Sequence, residues 1–151
     1  MESYFGNREN SLGYLTSVVS RLLANQLNRR FAEAGIALTI EQWAVLYSLW
    51  DKNGLTQQEI AAGLHLEKST VSRALVALER DGWVRREKDP DDARLKRVFV
   101  TAKADAVRRG CGELAHGVLD EAQEALNDDE RRTLHALLGR VLHSLLEMSE
   151  G

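Results

Sequence analysis

Residues 55–84 read LTQQEIAAGLHLEKSTVSRALVALERDGWV, and this stretch decides the fold. Thr56 and Glu59 are spaced as Thr-x-x-Glu, a capping-box signature that predicts a short helix running to about Gly63. A longer helix is predicted over Glu67 to Arg80, because Val71, Ala74, Leu75 and Leu78 recur at three- and four-residue steps. Asp81-Gly82 ends it, the glycine supplying a left-handed cap. A capped short helix, a tight turn and a longer helix describe a helix-turn-helix. Ile60, Ala61 and Leu64 pack the first helix, and Leu66, Val71 and Leu75 pack the second.

That packing leaves Lys68, Ser69, Thr70, Ser72 and Arg73 near the exposed N-terminal end of the second helix. Short hydroxyls donate to or accept from base edges and phosphates, and arginine bridges guanine O6 and N7 with two bonds. A helix N-terminus also favours phosphate. On periodicity alone, an ordinary two-helix packing unit with a polar solvent face remains open.

Working outward, Trp83 to Arg86 and Arg97 to Val100 read as two strands of a hairpin. Between them, Glu87 to Lys96 is a polar loop holding the only proline, Pro90. A helix-turn-helix followed directly by a basic two-stranded ribbon is a winged helix, whose tip approaches the minor groove while the recognition helix occupies the major groove. Arg94 lies near that tip with Lys96 beside it, and Asp92 is placed to aim the Arg94 guanidinium. These three join the five helix residues as the candidate DNA-binding set. A solvated charged loop is the competing reading of the wing sequence alone.

Here the chain resembles the MarR family, the multiple antibiotic resistance regulators. The family's wing signature is Asp-x-Arg, five residues, then Leu-Thr. This sequence has Asp92-Ala93-Arg94, then Leu95 to Phe99, then Val100-Thr101. Where the family often has Lys-Gly soon after the threonine, this chain has Lys103-Ala104. Ser69-Thr70-Val71-Ser72-Arg73 and Leu78-Glu79-Arg80-Asp81-Gly82-Trp83-Val84 also look like the family's recognition helix and its exit. The resemblance covers nearly the whole chain. It implies a homodimer built from the first, fifth and sixth helices, binding a pseudo-palindromic double-stranded operator, commonly as a repressor.

The flanking sequence supplies those helices. Leu12, Leu15, Val19, Leu22 and Gln26 are spaced for an amphipathic helix over roughly Arg8 to Ala34, stopped by Gly35. Thr39 and Gln42 form a capping box opening a second helix to about Asp51. Thr101 caps a fifth helix striped by Val107, Cys111, Leu114, Val118, Ala122 and Ala125. Asn127 and Glu130 cap a sixth that carries Leu134, Leu137, Leu138, Val141, Leu142, Leu145 and Leu146. Long apolar helices at both ends suit a two-fold interface, with intramolecular packing as the alternative. The expected fold is mostly α: a winged helix-turn-helix of six helices plus a two-stranded wing hairpin. One domain spans 1–151, with a DNA-binding lobe at 39–101 between dimerisation helices at 8–34 and 102–148.

Composition narrows the function class. Net charge is −3. From His65 to Arg109, however, 12 Lys+Arg stand against 8 Asp+Glu, so positive charge gathers on the winged segment. One cysteine admits no internal disulfide and fits a reducing compartment. With no signal-peptide pattern and no membrane-length apolar run, the expected location is the cytoplasm.

No catalytic constellation or phosphate loop stands out, so no enzyme and no cofactor are expected. His65, His116, His135 and His143 form no metal-ligand spacing. Cys111, on an apolar stripe, reads as a core thiol, with a reactive thiol beside Arg108 and Arg109 as the alternative. Trp43, Tyr47 and Trp50 share one face of the second helix and are either core or an effector site. The family commonly takes small aromatic or phenolic compounds between its dimerisation helices and DNA-binding lobe. The competing functions are a winged helix used for protein contacts and a thiol- or metal-responsive regulator.

Overall fold

The computed structural model describes residues 11–151 of the chain; the expected start of the first helix at Arg8 lies outside the described residues. The described residues fall into two compact units, 11–115 and 116–151. The elements run α1 (Leu12–Glu33), α2 (Ile40–Asp51), β1 (Leu55–Thr56), α3 (Gln57–Leu64), α4 (Lys68–Arg80), β2 (Val84–Lys88), β3 (Lys96–Val100), α5 (Ala102–Ala122) and α6 (Asp128–Glu150). The chain is mostly helical, with six helices and a small antiparallel sheet. None of the described helices is long and apolar enough to cross a membrane.

Local chemistry accounts for the helix starts. Thr39 accepts from Gln42 N–H at 3.2 Å, and Gln42 Oε1 accepts from Thr39 N–H at 3.0 Å, a complete capping box. Asn127 and Glu130 repeat it at α6. Thr56 caps α3 by accepting from Glu59 N–H, but the Glu59 carboxylate accepts from the Thr56 hydroxyl at 3.1 Å rather than from the Thr56 backbone N–H. Between α3 and α4 the turn is made by His65 at φ 54°, a left-handed conformation rare outside glycine. Gly82 closes α4 at φ 80°, which a side chain adopts only with strain.

In the sheet β3 is central, with β1 and β2 on either side. The β2–β3 ladder runs from Val84 opposite Val100 to Lys88 opposite Lys96. The expected hairpin is therefore present but longer toward its tip: pairing continues through Glu87 and Lys88, and Trp83 lies just before the strand, buried. β1 is a third strand. Its Leu55 pairs with Val98, clamping the wing to the start of α3.

The core of residues 11–115 is built by Phe31 of α1, Val45, Leu46 and Leu49 of α2, Ile60 of α3, Leu75 and Leu78 of α4, and Val98 of β3, all essentially sealed from solvent. Asn28 Oδ1 accepts from Ile40 N–H at 3.0 Å, joining α1 to the start of α2. The start of α5 is tied to the end of α4. Thr101 donates to Gly82 O at 2.7 Å, and Lys103 Nζ donates to Asp81 O while lying 4.3 Å from the Trp83 ring centroid. Ala104, where the family often has glycine, is fully buried.

The 116–151 unit holds the end of α5 and all of α6. Arg131 joins them, reaching Asp120 Oδ1 at 3.3 Å and Gln123 O at 3.2 Å. No residue of α6 is buried, and Leu137, Leu142, Leu145 and Met148 are each about half exposed or more. In the first unit, Leu12, Val19 and Leu22 of α1 are similarly exposed.

Candidate nucleic-acid interface

The hydrophobic spacing of α4 decides which side chains it presents. Val71, Ala74, Leu75 and Leu78 are buried, which turns Lys68, Ser69 and Arg73 fully outward and leaves Thr70 and Ser72 half-buried at the rim. Glu67, at the N-cap, makes no side-chain cap bond. Among the described residues no ion pair or side-chain hydrogen bond occupies Ser69, Ser72 or Arg73. The sequence reading missed one member of this surface. Val76, four residues beyond Ser72 and three beyond Arg73, is 58% exposed. An exposed β-branched residue three positions past the predicted polar set breaks the core pattern, and that break was the available signal.

The wing is held by two aspartates. Asp92 Oδ1 accepts both the backbone N–H of Arg94 and its Nε, and Oδ2 accepts Nη2 at 3.1 Å. The Arg94 side chain nonetheless remains 90% exposed. Its hydrogen bonds hold the Asp92 carboxyl below the usual carboxylate range. Asp89, which the sequence reading passed over, is buried. It accepts from the N–H groups of Asp91 and Asp92 and from Arg97 Nε. Arg97 and the two N–H donors depress its pKa. Lys68, Arg94 and Lys96 line one open groove with Gln57 and Gln58 of α3, so three of the expected cations share a concave surface. Gln57 Nε2 reaches Lys68 O across it at 3.4 Å.

The aromatic face of α2 opens onto a separate cleft of about 270 Å³, lined by Trp43, Tyr47 and Trp50 together with Asp51, Arg108, Arg109 and Gly112. Trp43 packs edge-on against Phe31 at 6.0 Å and tilted against Tyr47 at 5.6 Å, and Tyr47 is 61% exposed. Trp43 touches the core residue Phe31 on one side and lines the cleft on the other. The indole nitrogens of Trp43 and Trp50 are buried without hydrogen-bond partners among the described residues. Arg108 and Arg109 come to this cleft only because α5 passes α2, which no local spacing announces. Arg109 is engaged by Glu113 at 3.0 Å.

Cys111 is fully buried, and burial pushes its thiol pKa up. Neighbouring Arg108 and Arg109 in sequence do not reverse that. Among the described residues no three His, Cys, Asp or Glu side chains gather at metal-binding distance.

A three-helix lobe with an exposed α4 face and a basic two-stranded ribbon defines a winged helix-turn-helix. Residues 38–96 match the profile of the MarR family. The chain is 28% identical over 132 residues to the HTH-type transcriptional regulator MgrA of Staphylococcus aureus, covering 87% of this chain and 85% of that one. A mutant of MarR from E. coli, solved in complex with operator DNA, superposes with a TM-score of 0.83 at 29% identity, over 93% of this chain and 99% of that one. The transcriptional regulator SlyA shares the fold, with a TM-score of 0.85 at 24% identity, covering 91% of this chain and 96% of that one. Residues 38–96 thus carry the MarR profile, and over nearly its whole length the chain is similar in fold to MarR. The proteins it is similar to are named transcription regulators, not enzymes.

Proposed function

We propose that this protein is a cytoplasmic homodimeric repressor that binds a pseudo-palindromic operator and is released by a small aromatic acid or phenol. The observation that carries the DNA reading is the outward face of Lys68, Ser69 and Arg73 with Ser72 at its rim, where Ser69, Ser72 and Arg73 have no side-chain partner among the described residues, beside an Arg94 that is held in place yet 90% exposed. In this reading α4 enters the major groove, where Arg73 contacts base edges and Lys68, Ser69, Thr70 and Ser72 contact bases or phosphates. Arg94 enters the flanking minor groove, oriented by Asp92. Lys96 and Lys68 neutralise the phosphates between the two. The E. coli neighbour crystallised with operator DNA supports this assignment of partner. Selecting bound sites from a random duplex pool tests it: a two-fold symmetric site with strongly salt-dependent affinity is expected. Binding without sequence preference overturns it.

The dimer rests on the exposed apolar stripes of α1 and α6. Leaving so many large apolar side chains in water costs free energy that a second copy recovers. Residues 8–34 and 102–148 then serve as dimerisation helices around the 39–101 lobe.

The effector reading rests on the α2 cleft. Its aromatic wall of Trp43, Tyr47 and Trp50 suits a ring, and Arg108 and Arg109 suit a carboxylate or phenolate. A ligand there shifts the DNA-binding equilibrium only by its differential affinity for the two states, and operator must weaken ligand binding by the same factor. Tryptophan fluorescence titrations of aromatic acids, with and without operator, test this. Equal affinity in both conditions would make the cleft a binding site without regulatory effect.

A further inference from the structure

Arg94 is bonded to Asp92, but Asp92 is itself held from below. Its N–H donates to Asp89 Oδ1 at 2.9 Å, and the N–H of Asp91 donates to the same oxygen at 2.8 Å. The Asp89 side chain is only 7% exposed, and its second oxygen accepts from Arg97 Nε. Arg97 in turn donates through Nη1 to Gly54 O at 2.9 Å, just before β1, and stands 3.8 Å from Glu59 in the first turn of α3. A continuous series of hydrogen bonds therefore runs from the helix-turn-helix body through Arg97, Asp89 and Asp92 to Arg94.

We propose that Asp89 and Arg97 are positioning residues that set where Arg94 stands relative to the reading face of α4. This rests on the assignment of Arg94 to the minor groove. Each end of the series needs its own residue type. A carboxylate at 89 accepts two backbone N–H groups with one oxygen and a guanidinium with the other. An amide at that position keeps the first function but turns a donor toward Arg97. A guanidinium at 97 donates from two nitrogens in fixed directions, to Asp89 and to Gly54 O. An ammonium donates from one nitrogen on a flexible stem and lacks those two separated, fixed directions. The geometry thus links the strand-to-helix corner at Gly54 to the wing loop, and a change at either residue reaches the DNA through Arg94 rather than by direct contact.

The test uses the full chain and a labelled operator taken from the selected pool. Affinities are measured for Arg97→Lys, Asp89→Asn, Arg94→Ala and the doubles that combine each of the first two with Arg94→Ala. Each is assayed on the operator and on a duplex whose flanking A·T pairs are replaced by G·C, with folding checked by circular dichroism. Either positioning variant is expected to weaken operator binding and to flatten the flanking preference. On the Arg94→Ala background each should change affinity by less than about twofold, which is the scatter within which independent changes add. Thermal melting serves as the contrast, since loss of the buried bonds should lower it by similar amounts in both backgrounds. Equal losses of affinity with and without Arg94 would overturn the proposal, as would an intact flanking preference in both variants. If Arg94→Ala alone leaves affinity and preference unchanged, the minor-groove assignment fails and the positioning role goes with it. That outcome is separable from the first, in which Arg94 matters and the two residues act independently of it.

Discussion

Asp92 holds Arg94 at two points, its Oδ1 taking the backbone N–H at 3.1 Å and Nε at 3.0 Å while Oδ2 takes Nη2 at 3.1 Å. The backbone bond sets the turn of the wing tip, and the two guanidinium bonds set the plane of the side chain. An exposed ion pair of this kind adds little to folding. Its effect is conformational: a long side chain that would otherwise sample many rotamers is presented in one.

Arg94→Ala is therefore expected to weaken operator binding more than Asp92→Ala, because the second change frees the guanidinium without removing it. Preference at positions flanking the half-site centres should soften in both, since minor-groove width and its A·T pattern are what an arginine reads there. Equilibrium binding to the selected operator and to flank-altered duplexes checks the order. Unchanged affinity for Arg94→Ala would remove the wing from the interface.

On α4, Arg73→Ala should reduce discrimination between operator and random duplex by about 1–3 kcal/mol if the guanidinium bridges a base edge. If both affinities fall together, Arg73 contacts phosphate. Val76 lies on the same exposed surface and carries methyl groups suited to a thymine methyl. Replacing operator thymines by deoxyuridine one at a time should expose a position where the wild type loses affinity and Val76→Ala does not. No such position would leave Val76 outside the base contacts.

The apolar stripe of α6 predicts the assembly. Leu142→Asp together with Leu145→Asp places two charges where the second copy is expected, and the protein should shift from dimer to monomer in sedimentation. A wild type that is monomeric at tens of micromolar, or a dimer insensitive to both changes, would refute the role of this face.

Cys111 should resist alkylation in the folded protein, because burial both blocks access and raises the thiol pKa. Labelling with iodoacetamide should follow global unfolding by denaturant. Rapid modification under native conditions would revive a thiol-responsive regulator.

Asp89 gives a pH dependence of known sign. Arg97, and then the N–H groups of Asp91 and Asp92, lower its folded-state pKa. An unfolded aspartate titrates near about 3.9. Between that value and the lower folded one, the unfolded chain binds more protons, so stability rises with pH. The contribution is complete above the unfolded value and is lost as pH falls through the folded one. Asp89→Asn should flatten the acid limb of a denaturation series relative to wild type; an identical slope would mean that other carboxylates, such as Asp81 and Asp92, account for it.

Most of the helical framework was legible from residues a few positions apart. Thr39 with Gln42 and Asn127 with Glu130 start their helices as their spacing implies, and Gly35 and Gly82 adopt positive φ where a stop was expected. Asp92 and Arg94 form the predicted pair because two residues of one tight turn have few other places to go. Capping, periodicity and turn chemistry are short-range, so the chain declares them wherever it folds.

Only the tertiary structure decided what met across the fold. β1 exists because Leu55 lands opposite Val98, 43 positions later, and a two-residue strand has no pattern of its own to read. Arg97 looked like one basic residue among several until Gly54, Glu59 and Asp89 converged on it. Arg108 and Arg109 belong with the aromatic face of α2 because of how α5 passes it, and Asp89 is buried because the wing folds back over its side chain. Such meetings depend on how all the apolar faces pack together at once. Local spacing sets each helix and turn, whereas the partners of a side chain follow from the one arrangement that fills the core.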